Sequence, residues 1–481
     1  MSTQIAVIIG LVIYVVLTTG VSCFWMTRVK KATDYLVAGR GLPYWVLTGT
    51  IIGTCIGTGV IIGGTGLAYR HGWAGCAYPI GLGLGTLLTG LLFAKMRRYK
   101  FMTLSEEIAC YYNGNKIIVE FSNITVFLSQ LCWLTVQIIG GAAVMGAVTG
   151  LSYHVCLVLA GFAKAVITIP GGLKAVVYTD VLQTAILFCG FGFLMHSALG
   201  GVGGLSGLRQ SVPSDYFSVL GVASHGVWNV VGLIVVLGLN PLADPSRRLT
   251  MYSAHTEAGA KWSMITSGVV VMVFSLAIGI TGMYTFHLNP HLPVADQALP
   301  WLAMNVLPPW LAAFVVVAVV SGISSAANGN ASAAGTFFVR HIYPLVTGRY
   351  PKRPVAATRW ALVCAFFAST VLGLYAGSIV GFVVKFLPLT MSGLGVIVLL
   401  GRIWKRATWQ GALAALITTP IVALAMMFLP VATQFSDNPT IPATLAGLLV
   451  HVVVSLLTPP STQSFDVTVE AMRKERQAIE G

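Results

Sequence analysis

Gly171-Gly172-Leu173-Lys174-Ala175-Val176-Val177-Tyr178-Thr179-Asp180-Val181-Leu182-Gln183 reads as a Gly-Gly turn that feeds a Thr-Asp pair into the start of an apolar helix. The carboxylate of Asp180 is thereby set at the entrance of a segment apolar enough to enter a membrane. A charge at bilayer depth costs about 2.5–3.5 kcal/mol even on the mild insertion scale. Asp180 therefore either has a partner, such as a cation, a proton or a basic side chain, or it caps a helix N-terminus at the membrane interface. Spacing alone leaves both open.

Working outward, composition identifies the solvent. The 481 residues are 56% hydrophobic and only 9% charged, with a mean hydropathy of +0.84. Apolar runs long enough to cross a bilayer recur throughout, so the chain is a polytopic membrane protein. A net charge of +14 does not point to nucleic acid, because the basic residues lie in short runs between apolar segments and are not interleaved with aromatics. They read as topology signals. The eight cysteines are scattered, with no CxxC and no His/Cys cluster, so free thiols and no zinc are expected. The first run, 5–26, lacks a basic leader and a small-residue cleavage site and reads as a retained helix.

Thirteen candidate helices follow, at about 5–26, 44–69, 72–94, 118–149, 152–169, 179–200, 223–242, 262–286, 310–338, 357–375, 378–401, 408–429 and 441–458. With the N-terminus outside, all of the 28 Lys and Arg except Arg70, Arg209, Lys164 and Lys385 fall on the cytoplasmic side. That asymmetry supports an outward N-terminus and a cytoplasmic C-terminus.

Two helices are interrupted. In the second span Gly49, Gly53 and Gly57 recur every four residues and are followed by Gly59, Gly63, Gly64 and Gly66. This stripe serves either close helix packing or a break whose freed carbonyls line a cavity. In the seventh span Leu239-Asn240-Pro241-Leu242-Ala243-Asp244-Pro245 interrupts the apolar run, since Pro241 lacks an amide donor and disfavours helix at Asn240. Interruptions at corresponding places in two halves point to a midplane binding site in an inverted-repeat transporter. The ninth span places Ser321, Ser324, Ser325 and Asn328 on one helical face. Such a face supplies oxygen ligands for a hard cation such as Na⁺, or forms a polar seam between helices.

The run at 171–183 resembles the hallmark of the sodium/solute symporter family, which includes sodium/glucose and sodium/proline cotransporters. Asp34-Tyr35-Leu36-Val37-Ala38-Gly39-Arg40, Ala68-Tyr69-Arg70-His71-Gly72 and Leu399-Leu400-Gly401-Arg402-Ile403-Trp404-Lys405-Arg406-Ala407-Thr408 agree in order and spacing. The resemblance implies an all-α, LeuT-type 5+5 inverted repeat. Residues 1–40 would form a leading helix and its connection, 41–406 the ten-helix core, 407–458 two trailing helices and 459–481 a cytoplasmic tail. It implies a Na⁺ site made of backbone at Gly53 and Ile56 with the hydroxyls of Ser321, Ser324 and Ser325. A possible second Na⁺ would use Asp180 and Asn328. Two departures bear on these sites. Counted back from His341-Ile342-Tyr343, the Ser pair falls one residue early, and the pair of hydroxyls expected for a second ion is replaced by Ala327 and Asn328.

For substrate, positions matched to sugar-carrying relatives are Cys55, Gly57, Thr58, Gly59, Val60 and Asn240, too apolar a set for a polyol. Lys385, in the tenth core helix, either meets a substrate carboxylate, snorkels to the outer interface or pairs with an acid such as Glu120. Lys164 reads as snorkelling near the cytoplasmic end of its span. The expectation is a secondary active transporter, not an enzyme, importing a small organic solute with Na⁺ as coupling ion. An amino acid or short organic acid is favoured over a sugar or other neutral solute, and a Na⁺-responsive sensor is the remaining rival. No nucleic acid and no obligate protein partner are expected beside the solute and the lipid bilayer. The nine histidines are too dispersed to build a catalytic or metal set.

Overall fold

A backbone in hydrocarbon must satisfy its own hydrogen bonds, and apolar runs of this length can do so as helices. The computed structural model describes residues 2–26, 41–169, 172–376, 379–428, 439–460 and 465–480, and among these there is no strand. The Asp34–Arg40 stretch and Gly171 lie outside the described residues.

The leading helix is α1 (Thr3–Met26). The first core helix is broken into α2 (Tyr44–Cys55), a π-helical turn Gly59–Gly64, and α3 (Thr65–His71). Then come α4 (Ala77–Phe93), the short α5 (Leu104–Tyr111), α6 (Lys116–Thr149), α7 (Tyr153–Thr168) and α8 (Gly172–Gly201). The second half opens with α9 (Val227–Ala243) and α10 (Pro245–Tyr252), followed by α11 (Glu257–Leu288) and α12 (Pro309–Phe337). It closes with α13 (Pro354–Gly373), then α14 (Ile379–Leu387) and α15 (Gly393–Ile403) joined by a π turn. The trailing helices are α16 (Trp409–Phe428) and α17 (Thr440–Leu457), and α18 (Phe465–Glu480) lies in the C-terminal tail. Ten described helices are long and apolar enough to cross a membrane, and the bent pair α9–α10 makes an eleventh. The shorter apolar helices α2 and α7 fill the remaining places in the expected series.

Both interruptions are present, and the second is displaced. The first falls at Ile56–Gly57, where Ile56 takes φ −90° and ψ 65° and leaves the helical path. The expected break at Pro241 is not there, because α9 continues through that proline. The chain turns at Asp244, whose extended ψ of 113° starts α10 with Pro245 in its first turn, and the two helices meet at 42°. Proline is well accommodated at a helix start, where its missing N–H would have no partner anyway, and Asp244 caps the new helix by accepting from Ser246 N at 2.8 Å. The tail is docked: Phe465 of α18 packs edge-on against Tyr99 with ring centroids 5.0 Å apart, and Cys110 Sγ meets Met472 Sδ at 3.5 Å.

Helix α12 lies at the centre. Small residues let it approach both broken helices: a methyl on Gly329 would stand 2.8 Å from Ser246 Oγ of α10 and 2.9 Å from Thr54 Cγ2 of α2. Glycine is used there for contact distance.

Candidate functional site

The break in the first core helix brings backbone and hydroxyls together. A methyl on Gly322 would lie 2.9 Å from the carbonyl oxygen of Ile56, and one on Gly53 would lie 2.5 Å from Thr184 Oγ1 and 3.3 Å from Ser325 Cβ. Helix α2 is tied to α8 by Thr50 Oγ1 donating to Val177 O and Thr184 Oγ1 donating to Gly49 O, both at 3.0 Å. Ser321, Ser324, Ser325 and Asn328 are all buried, so the oxygen-bearing face of α12 points into protein.

Asp180 is fully buried about two turns inside α8, well past the entrance where the sequence placed it. It is not an N-cap. Neither of its carboxylate oxygens, nor the hydroxyls of Ser321 and Ser325, nor Gln183 Oε1, has a hydrogen-bond partner among the described residues. Ser325 faces the carboxylate without forming a hydrogen bond of ordinary geometry. Each buried polar atom left unmatched costs about 1–3 kcal/mol, more when charged. A hard monovalent cation, which takes several oxygens, is the chemistry this set fits.

The hydroxyl stripe divides. Ser325 looks toward α2, whereas Ser324 accepts from the ammonium of Lys164 and itself donates to Val320 O at 2.7 Å. One helical turn along, Thr168 Oγ1 donates to Asn328 Oδ1 at 2.7 Å, so α7 and α12 share two polar rungs. The expectation that Lys164 snorkels is therefore corrected. Its side chain is 5% exposed and turned into the bundle, because the facing serine offers an acceptor that a lipid-facing surface would lack. The leading helix also contributes: Tyr14 Oη accepts from Gln183 Nε2 at 2.7 Å and faces Ser321 and Ser324.

On the other side of the break lies a small cavity of about 20 Å³. Of the residues matched to substrate contacts, Cys55, Gly57, Gly59 and Val60 line it. Thr58 does not: its amide donates to Gln137 Oε1 at 3.0 Å and its side chain packs at Gly140. Asn240 does not line it either, but its Oδ1 accepts from Arg247 Nη1 at 2.9 Å. Lys385 is exposed on α14, outside the cavity.

The sequence reading missed the cavity's polar walls. Arg247 pairs with Asp244, donates to Cys55 Sγ at 3.3 Å, and is only 4% exposed. Tyr78 Oη and Trp133 Nε1, both on buried side chains lining the same cavity, have no hydrogen-bond partner among the described residues. The signal available was the Asn240…Asp244…Arg247 spacing, which sets three polar groups about a turn apart at an interruption.

Beyond the bend of the second broken helix, Glu107 of α5 pairs with Arg248 of α10 at 3.3 Å, both fully buried. Glu107 also accepts from Tyr111 Oη at 2.6 Å and from Tyr252 Oη, and the Arg248 guanidinium lies 3.7 Å from the centre of the Phe93 ring. This cluster joins α10 to the connection between the second and third core helices.

Comparison with known proteins identifies relatives of the whole chain and of its fold. The chain is 26% identical to the sodium/pantothenate symporter of Escherichia coli (strain K12), over 94% of this chain and 96% of that one. It is 25% identical to the sodium/glucose cotransporter of Vibrio parahaemolyticus, over 94% and 90%. Its fold is similar to that of a Na⁺-coupled sialic acid symporter in a substrate-bound outward-open state, with a TM-score of 0.79 and 19% identity, covering 96% of this chain and 99% of the other. The model of the sodium:solute symporter family matches residues 35–419. A broken-helix bundle with a buried oxygen cluster, matched over most of its length by that model, belongs to the sodium:solute symporter family: a membrane-embedded, multi-pass transporter of small solutes, not an enzyme, with Na⁺ as its coupling ion.

Proposed function

We propose that this protein imports a small carboxylate-bearing solute together with Na⁺, with its N-terminus outside and its C-terminus cytoplasmic. The observation that carries the substrate class is the donor character of the cavity at the first break. Arg247, Tyr78 Oη and Trp133 Nε1 line it beside Gln137, Asn330 and Asp244, and among the described residues neither Tyr78 Oη nor Trp133 Nε1 has a hydrogen-bond partner. Buried donors without acceptors favour an anion, and a guanidinium is suited to a carboxylate. Asp244, the acid among the residues lining the cavity, is paired with Arg247, so a substrate ammonium would meet no unpaired acid in that lining. Amino acids therefore give way to acids without one. Pantothenate and sialic acid, named for two of the similar proteins, are carboxylates, whereas glucose is not.

Na⁺ would lie between the backbone near Gly53 and Ile56, Ser325 and Asp180, bridging the first core helix to α8 and α12. Its release to a cytoplasm poor in Na⁺ would free the break and let the halves rock inward, driven by about 2.3 kcal/mol per charge at 100 mV plus the concentration gradient. The test is uptake into proteoliposomes with an inward Na⁺ gradient, competed by a panel of carboxylates, their amides and neutral sugars. Competition by acids and not by their amides is expected. Competition by sugars alone would replace this reading with the neutral-solute one, and uptake equal in Na⁺, Li⁺ and K⁺ would remove the Na⁺ site.

A further inference from the structure

The hydroxyl stripe of α12 has enough oxygen for more than one cation, yet half of it is already occupied. Ser324 receives the Lys164 ammonium, and Asn328 has its side-chain oxygen committed to Thr168. Beside the break, the Asp180 carboxylate and the Ser325 hydroxyl have no hydrogen-bond partner among the described residues; Ser321 Oγ and Gln183 Oε1, which lie by Tyr14, are unmatched too. Among the described residues the ion pairs include neither Lys164 nor Asp180. The lysine is therefore held by neutral oxygen, as a coordinated cation is.

We propose that the Lys164 ammonium is a tethered stand-in for a second Na⁺, so that the protein binds one Na⁺ at the Asp180–Ser325 cluster. The inference rests on the Na⁺ part of the reading above and is independent of the solute.

Charge supports this division. Among the described residues, the ionisable side chains facing this layer are Lys164 from α7, Asp180 from α8 and Tyr14 from α1, while α12 contributes neutral groups. Lysine plus one Na⁺ against one carboxylate carries the same net charge as two Na⁺ would. A second Na⁺ beside the lysine adds an uncompensated charge in a region shielded from water, where repulsion between like charges is strong. A tethered cation also cannot leave with the solute. The contact between α7 and α12 then persists through the transport cycle, and only the contact between the first core helix and α8/α12 is made and broken by an ion.

The experiment is equilibrium binding of radioactive Na⁺ to the purified full-length protein in lipid nanodiscs, near neutral pH and without solute. Wild type is expected to bind one Na⁺ per chain with a Hill coefficient of one, and Asp180→Asn to bind none. Lys164→Ala, which frees Ser324 and vacates the space, is expected to bind two, and Lys164→Arg, which keeps the charge, only one. Two Na⁺ bound by wild type would overturn the proposal, as would a Lys164→Ala protein that binds one with unchanged affinity. If Lys164→Ala does not fold, Lys164→Gln and the wild-type count decide on the same criteria. Wild type binding no Na⁺ would refute the Na⁺ site itself, and this inference with it, which separates that failure from a count of two.

Discussion

Replacing Arg247 with methionine tests whether this side chain supports structure, binds solute, or does both. Its guanidinium and the Asp244 carboxylate are paired at 4% and 3% exposure. Removing the cation strands a buried carboxylate, and breaking such a pair costs about 3–5 kcal/mol. The bonds to Asn240 Oδ1 and Cys55 Sγ go with it. The companion variant is Arg247→Met with Asp244→Asn, which neutralises both partners and keeps a side-chain oxygen to cap Ser246 N. Replacement of a buried pair by neutral groups is often close to neutral in stability. Chemical denaturation in mixed micelles should therefore show the single variant destabilised by about 3–5 kcal/mol and the double variant recovering most of that. Proteoliposome uptake should not recover. A hydrogen bond to a charged group contributes about 1.5–3 kcal/mol, so the double variant should need about 10- to 150-fold more carboxylate for half-maximal uptake. If the double variant regained wild-type apparent affinity, Arg247 would be purely structural and the carboxylate assignment would lose its anchor. If the single variant were as stable as wild type, the pair would not be buried as described.

Gly57→Ala should impair folding and transport together, because the added methyl would stand 2.5 Å from Ala326 Cβ and 2.9 Å from the Gln137 oxygen that accepts the Thr58 amide. Overpacking of this kind costs about 1–3 kcal/mol, and a lower thermal midpoint in detergent would register it. Glu107→Ala should cost about 3–5 kcal/mol by stranding Arg248, and Glu107→Gln less because its amide oxygen can still accept from Tyr111 and Tyr252; equal midpoints for the two would argue against the pair. His225, in a short helix before α9, has its pKa pushed down to about 4 by burial and then by the neighbouring His71, whose ring lies 4.5 Å away. The unfolded chain binds that proton near pH 6.5, so this stability is present above that pH and is lost as pH falls toward 4. His225→Asn should flatten the fall in thermal midpoint over this interval.

Much of the architecture was legible because hydrocarbon imposes a length and a polarity on every span. The order of the helices and the polar face of Ser321 through Asn328 follow from hydropathy and a 3.6-residue period, both local properties, whereas the glycines at 53–59 allowed either close packing or a break, and the structure breaks the helix at 56–57. The exact place of the second break was harder to read. Pro241 and Pro245 carry the same signal, and which one ends a helix depends on whether Asp244 can cap the next.

Sequence by itself established a polytopic helical transporter with two interrupted helices and a candidate cation face on the ninth span. Tertiary structure alone decided which oxygens of that face are free. Lys164 and Ser324 lie far apart in the chain, and whether a lysine near a span's end reaches water or a serine depends on the helix packed against it. The same holds for Arg247 and Lys385, two cations in apolar surroundings, of which one is turned into the cavity and the other outward. Hydropathy reports how deep a residue sits, whereas the direction in which its side chain points is set by contacts between helices remote in sequence.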